Sequence, residues 1–419
     1  MIETFELFPG VTLRCYPDNR FKQGCMSIQF LQPMKRETAA VNALIPAVLL
    51  RGCKDSPDLR SITLRLDDLY GAAVGTMVRR VGDYQTTGLY CNFIEDAYAL
   101  RGDEILSPMI RFLGQLLLEP VLEDGVFHSR YVDSEKKNLI AAIEAQRNDK
   151  RAYASAQMYK KMCSADSYGI PRLGEKEQVE VITAQSAYAQ YRKLLRESPV
   201  QIFYVGSAQP QRIAQLLKDL FGGIERNYVN LPGQTAFRDG GGGEYTEVMD
   251  VTQGKLCMGF VTPITIRDDF VPMQVFNALF GAGMTSKLFM QVREEQSLCY
   301  DIGSSYQGSK GIMSVFAGID CDQDERVKNQ VLQILEQCRE GQISREELTA
   351  AKQAMISQLQ ATHDSPGAIE GYYANAALSG LRFTPEEYIR AVEKVEIEDV
   401  ARAAGTLKLH TVYFLRGER

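Results

Sequence analysis

Histidine is scarce in this chain: three in 419 residues, His128, His363 and His410, on unrelated stretches. Imidazole is the commonest holder of zinc and its neighbours, so three isolated rings argue against a His-based metal site. The nine cysteines (15, 25, 53, 91, 163, 257, 299, 321 and 338) form no C-x-x-C pair, which argues against a zinc knuckle or a disulfide frame. Most lie in apolar runs, as reduced buried thiols do, and this points to a cytoplasmic chain. No stretch approaches the roughly 18 apolar residues of a membrane span, and the first residues lack the basic and apolar regions of a secretory signal. A net charge of -6 without long blocks of either sign leaves no footprint for nucleic acid.

What is present describes an ordinary globular protein, 45% hydrophobic and 24% charged, whose length predicts two or three domains. Several motif-like stretches fail on inspection. Asp320-Cys321-Asp322-Gln323-Asp324 imitates a calcium loop, but Glu325 stands where glycine is required and Val331 where the bidentate Glu is required. It reads instead as a helix N-terminus, where acidic side chains suit the dipole. Gly303-Ser304-Ser305-Tyr306-Gln307 has no glycine two residues after the serine and no helix after it, so it is no nucleophile elbow. The run Gly240–Gly243 lacks a following Lys-Ser/Thr and reads as linker. Tyr153, Tyr159, Tyr372 and Tyr373 sit among small residues at helical spacing and are expected to pack. No nucleophile–base constellation for a zinc-independent hydrolase is recognisable.

The two halves repeat. Gln23-Gly24-Cys25-Met26-Ser27-Ile28-Gln29-Phe30 and Gln253-Gly254-Lys255-Leu256-Cys257-Met258-Gly259-Phe260 both read as strands, and Gln253 lies 230 residues beyond Gln23. Each is followed by a helix, at about 37–51 and 268–280, and then by a hairpin of alternating residues, 72–93 and 301–319. Helices beginning near Glu135 and Glu347, and closing strands at 201–206 and 410–415, continue the correspondence. The order predicts an α+β fold of two similar domains, 1–221 and 245–419, each a mostly antiparallel sheet with helices on one face. Pro232-Gly233-Gln234 and the four glycines predict a flexible connector over 222–245, with the linker proper at 222–244.

The first helix, Val41-Asn42-Ala43-Leu44-Ile45-Pro46-Ala47-Val48-Leu49-Leu50-Arg51-Gly52, resembles the zinc helix of the pitrilysin/insulinase family of inverted zinc peptidases. There H-x-x-E-H supplies two ligands and a base; the matching positions here are Ala43, Pro46 and Ala47. The family's third ligand, a Glu in E-x-x-x-x-x-x-E, falls at Ala142 in the stretch that begins at Glu135. Glu144 would point about 200° round the helix and cannot substitute. Methyl groups and a pyrrolidine ring neither bind zinc nor accept a proton, so no metal, no cofactor and no catalysis are expected of this chain alone. Phe280-Gly281-Ala282-Gly283-Met284-Thr285-Ser286-Lys287-Leu288-Phe289-Met290-Gln291-Val292-Arg293-Glu294-Glu295-Gln296-Ser297-Leu298-Cys299-Tyr300 resembles the family's second motif.

The resemblance implies a clamshell in which Arg293 and Tyr300 hold a peptide substrate. It extends over nearly the whole chain and is similar to the zinc-less subunit of small two-subunit bacterial members of the Gram-positive type. Some of these carry a label tying them to 5-aminopentanol modification of elongation factor P, to which no residue here speaks. The implied partner is a zinc-bearing H-x-x-E-H subunit, which this chain would serve in trans. The other reading is a homodimeric structural or binding protein that performs no proteolysis.

Overall fold

The computed structural model describes residues 2–418. It contains two large sheets. The first has strands β1 (Glu3–Phe8), β2 (Val11–Pro17), β3 (Gln23–Pro33), β4 (Ala73–Val81), β5 (Tyr84–Ile94) and β6 (Val200–Gly206), ordered β1-β2-β6-β3-β5-β4. The second has β7 (Gly243–Val248), β8 (Gly254–Val261), β9 (Asp301–Gln307), β10 (Ile312–Ile319) and β11 (Lys408–Arg416), ordered β7-β11-β8-β10-β9. Apart from β1, the two orders are the same. Each has a single parallel pair in the same place, β2 with β6 and β7 with β11, and antiparallel neighbours elsewhere. The fold is therefore the expected antiparallel-rich α+β design, built twice.

Among the helices, the ones used below are α1 (Arg36–Leu49), α2 (Ser129–Ala145), α3 (Lys150–Met162), α4 (Val271–Phe280), α5 (Arg345–Gln360) and α6 (Pro366–Ser379). Their starts follow from local chemistry. Ser344 accepts from the Glu347 amide at 3.1 Å while the Glu347 carboxylate accepts from the Ser344 amide at 2.8 Å, a capping box that opens α5. Asp149 caps α3 by accepting from the Ala152 amide at 3.0 Å.

Strand alternation divides each sheet into two faces. In β3, Met26, Ile28 and Phe30 enter a core shared with Leu44, Ile45 and Val48 of α1. In β8, Leu256, Met258 and Phe260 enter the equivalent core with Val275, Phe276 and Leu279 of α4. The sequence predicts helices on this face alone. The structure adds a helix on the other: Cys25 and Val205 pack on Ile369 of α6, and Cys257, Tyr413 and Leu415 pack on Ala154, Met158 and Met162 of α3. Gly259 makes the second approach possible, because a Cβ there would lie 2.5 Å from the Met162 sulfur.

These second-face helices come from the opposite halves of the sequence. One compact unit comprises the chain through Glu144, Ile170–Gly233 and His363–Asn375. The other comprises Ala145–Gly169, Gln234–Thr362 and the chain from Ala376 onward. The bounds 1–221 and 245–419 stand as our proposal for the duplicated sequence halves, distinct from the compact units. The tyrosines expected to pack do so: the Tyr159 hydroxyl meets Ser314 at 2.9 Å, Tyr153 donates to Glu247 at 3.0 Å, and Tyr372 and Tyr373 stack edge-on at 5.3 Å.

The connector differs from expectation. Residues 224–242 form no helix or strand, yet they are tied along their length and are not a free tether. The Asn227 and Val229 amides donate to the Arg196 and Glu197 carbonyls at 2.9 and 2.8 Å, and the Tyr84 hydroxyl donates to the Pro232 carbonyl at 2.5 Å. The Phe237 amide donates to the Lys310 carbonyl at 3.1 Å and the Arg238 amide to Asp166 at 3.0 Å. Gly243 already belongs to β7, opposite Thr411, so only Gly240–Gly242 lie outside the sheet.

Asp166 and Lys310 form a buried ion pair at 2.9 Å, their side chains 1% and 0% exposed. Lys310 also donates to the carbonyl and hydroxyl of Thr235 at 3.2 and 3.3 Å, and Asp166 accepts from the Tyr168 amide at 2.8 Å. Lys310→Met strands the carboxylate in the interior and should destabilise this unit by about 3–5 kcal/mol, read from urea unfolding by tyrosine fluorescence; a loss below about 1 kcal/mol, the surface-pair value, would contradict the burial argument.

At the end of β5, burial pushes the Glu95 carboxyl above its usual range, against the bond it accepts from Ser207 at 2.5 Å. Its other oxygen is buried without a partner. A carboxyl raised in the folded state adds stability below its unfolded pKa and loses it as pH rises through the folded value. From about pH 4 upward, the wild type should therefore lose stability relative to Glu95→Gln, and parallel stability curves for the two proteins would refute this.

Candidate functional site

On α1 the side chains that would surround a metal are apolar. Ala43 is 6% exposed, Pro46 is buried and Ala47 is half-buried. Pro46 has no amide hydrogen, so the helix forgoes the bond to the Asn42 carbonyl there. Polar capacity in this region is spent on a chain of amides. Gln190 Nε2 donates to the side-chain oxygen Oδ1 of Asn42 at 2.8 Å, Asn42 Nδ2 donates to Gln85 Oε1 at 3.0 Å, and Gln85 Nε2 donates to the Ala39 and Arg172 backbone carbonyls at 3.0 and 2.7 Å. Asn42 and Gln85 are wholly buried, and this network satisfies them without a metal.

Ala142 lies exposed on α2. One turn and more before it, Glu135 is buried and paired with Arg51, which also donates to Ser134 at 2.8 Å. Glu144 points to the surface and binds Lys176 at 2.6 Å. The residues at the four positions therefore do not fit zinc. Among the described residues no three His, Cys, Asp or Glu side chains converge as metal donors.

Arg293 and Tyr300 lie on one continuous segment of the other compact unit. Phe289–Glu295 forms a turn of π-helix, a rare geometry, and the Leu298 amide reaches back to the Val292 carbonyl at 3.0 Å. Ser297 then takes a left-handed backbone with φ of 52°, which a non-glycine residue adopts at a cost. Two departures from regular backbone thus fall close together in the chain. Arg293 stacks over the Phe289 ring at 4.5 Å and meets Glu294 at 3.4 Å, with its side chain 39% exposed. Tyr300 is 54% exposed, and its hydroxyl donates to Asp320 at 2.9 Å. That bond raises the phenol pKa, which keeps the hydroxyl a proton donor.

Sequence reading missed two clusters. Asp239, His410 and Thr411 line up like a hydrolytic triad, with 2.9 Å from the Asp239 carboxylate to His410 Nε2 and 2.7 Å from Nδ1 to the Thr411 hydroxyl. Thr411 is 1% exposed inside β11, so the hydroxyl cannot reach a substrate. The second cluster gathers Ser27, Gln29 and Arg79 around Glu370 of α6, residues too far apart in sequence for any motif to join them.

Residues 182–355 match the peptidase M16 inactive domain. The chain is 28% identical over 409 residues to a protein of Bacillus subtilis (strain 168) named probable inactive metalloprotease YmfF, covering 97% of this chain and 96% of that protein. A crystal structure of a conserved protein from Enterococcus faecalis V583 superposes with a TM-score of 0.91 at 29% identity, over 100% of this chain and 99% of that one. A peptidase M16 inactive domain from Pseudomonas fluorescens superposes with a TM-score of 0.82 at 16% identity, over 100% and 98% of the two chains, a likeness of fold. Relatives named uncharacterized zinc proteases include one from Rickettsia felis, 20% identical over 300 residues, 70% of this chain and 71% of that protein.

Hydrated zinc gains little from methyl groups, so elemental analysis of the purified chain should find zinc well below one per molecule. Stoichiometric zinc bound between α1 and residue 142 would overturn the account of this site.

Proposed function

From an inactive M16-type, peptidase-like chain, we propose a non-catalytic subunit that lends Arg293 and Tyr300 to the active site of a zinc-bearing H-x-x-E-H partner in the bacterial cytoplasm. The substrate would be a peptide or an unfolded protein. The observation that carries this reading is the strained stretch from Phe289 to Tyr300, which holds a half-exposed guanidinium and an exposed, protonated phenol. Backbone strain persists where the surrounding structure gains from it, and functional sites are the usual places. A guanidinium offers a rigid fork to a peptide carbonyl, and a phenol can donate to the oxyanion that forms when zinc-bound water attacks. The water and the base would belong to the partner. No helix among the described residues is long and apolar enough to cross a membrane, and all nine cysteines are free thiols. Both facts are compatible with a cytoplasmic setting.

A second reading has its own observation. Arg293 and Tyr300 already have local partners in Glu294, Phe289 and Asp320, as residues with a purely structural role would. In that reading the chain is a homodimeric binding protein. Co-purification separates the two: recovery of an H-x-x-E-H-bearing partner supports the first, and a stable self-dimer without one supports the second.

In the reconstituted complex, Arg293→Ala or Tyr300→Phe should lower peptide turnover roughly 10- to 1000-fold, the span for one lost transition-state donor. Thermal midpoints and partner affinity should stay near those of the wild type. Unchanged turnover in both variants would move the binding-protein reading ahead.

A further inference from the structure

On the second face of the first sheet, beside α6, lies a cavity of about 180 Å³ bounded by β3, β4 and β5. Its wall is a fixed polar cluster. The Glu370 carboxylate, 6% exposed, accepts from Ser27 at 2.7 Å, Gln29 at 3.0 Å and both terminal nitrogens of Arg79 at 2.9 and 3.2 Å. Met77 is buried in the wall, and Tyr90 and Asn92 stand at the rim. Tyr90 is held in place by Gly75 across the ladder, where a Cβ would lie 2.4 Å from its ring. All these residues belong to one compact unit.

Anchoring of α6 to the sheet accounts for Ser27, Gln29 and Glu370. It leaves the outer groups unexplained. The Arg79 side chain is 38% exposed against 6% for Glu370, so of the pair that lines the cavity Arg79 is the more open to solvent. Tyr90 and Asn92 add a hydroxyl and an amide with no bond to the protein among the described residues. The pair with Glu370 takes one hydrogen from each terminal nitrogen of Arg79, and the N–H groups left over, with the Tyr90 hydroxyl and the Asn92 amide, are donors that a carboxylate can accept from. The space equals about six waters at roughly 30 Å³ each, enough for one side chain and too small for a drug-sized ligand.

A larger cavity of about 560 Å³ beside Arg192, Lys193 and Arg196 has no such selectivity, because Glu197, Glu225 and a helix C-terminus oppose those cations.

The geometry points to a carboxylate subsite at Arg79, Tyr90 and Asn92 that takes the acidic side chain or the C-terminus of a peptide, with Glu370 as the residue that positions Arg79. This site is independent of the subunit role: it needs neither the partner nor Arg293 and Tyr300. The test uses the full chain labelled with ¹³C-methyl methionine, in which the Met77 methyl, assigned through Met77→Leu, reports from the cavity wall. Three probes are titrated: N-acetyl-glutamate amide for a side-chain carboxylate, N-acetyl-alanine for a C-terminal one, and N-acetyl-glutamine amide as the neutral control.

One of the two carboxylates should shift the Met77 signal and bind about tenfold more tightly than the neutral amide, weakening as salt rises; which one it is assigns the source. Tyr90→Phe and Asn92→Leu, at the rim where folding is insensitive, should each weaken it several-fold, and Arg79→Lys, which keeps the charge but loses the fork, more than either. Equal binding of acid and amide, shifts confined to other methionines, or indifference to all three substitutions would overturn the assignment. Should Arg79→Lys fail to fold, the rim variants decide.

Discussion

A β-sheet has two faces, and in this molecule neither sheet can close its second face with residues from its own stretch of sequence. Cys25 and Val205 wait for Ile369, and Cys257 and Leu415 wait for Met158 and Met162. Burying these surfaces brings the hydrophobic gain that a single-faced sheet would forgo. The crossing chains then need connections, and this explains why the Gly-rich connector is bound along its length and why a wholly buried Lys310–Asp166 pair sits where segment 145–169, the β9–β10 hairpin and the connector meet. Charge is buried there with a partner and with backbone donors around it, the condition under which such burial is tolerated.

The apolar side chains at Ala43, Pro46 and Ala47 leave the buried polar neighbours of α1 to be satisfied within the protein. Here Asn42, Gln85 and Gln190 bond one another and two backbone carbonyls, so the region is internally complete. Arg293 and Tyr300 have local partners too, but on irregular backbone. There the chain keeps a π-turn and a left-handed serine, and half of each side chain faces out.

Much of the fold was legible because its signals are local. The repeated strand segments marked β3 and β8, alternation marked the hairpins that follow them, and a helix was expected to begin near Glu347, where α5 lies. What stayed hidden depends on partners remote in sequence. The pattern of α3 says which of its faces is buried, but not which sheet buries it. Ser27 and Glu370 lie 343 residues apart, so no spacing joins them. The π-turn at Phe289–Glu295 is invisible because its composition is that of an ordinary helix, and Arg293 and Glu294 within it look like any surface pair. The connector misled for a related reason: glycine content reports what a backbone can do, whereas its hydrogen bonds to Asp166, Lys310 and Arg196 decide what it does.

The reciprocal crossing of α3 and α6 has a bearing on how such a chain could arise. A half-length protein with this strand order would carry a helix that cannot cover its own sheet. It could finish its second face only by accepting that helix from a second copy, as swapped dimers do. Fusion of two such copies would turn an exchange between molecules into one within a molecule, and from then on the halves could diverge.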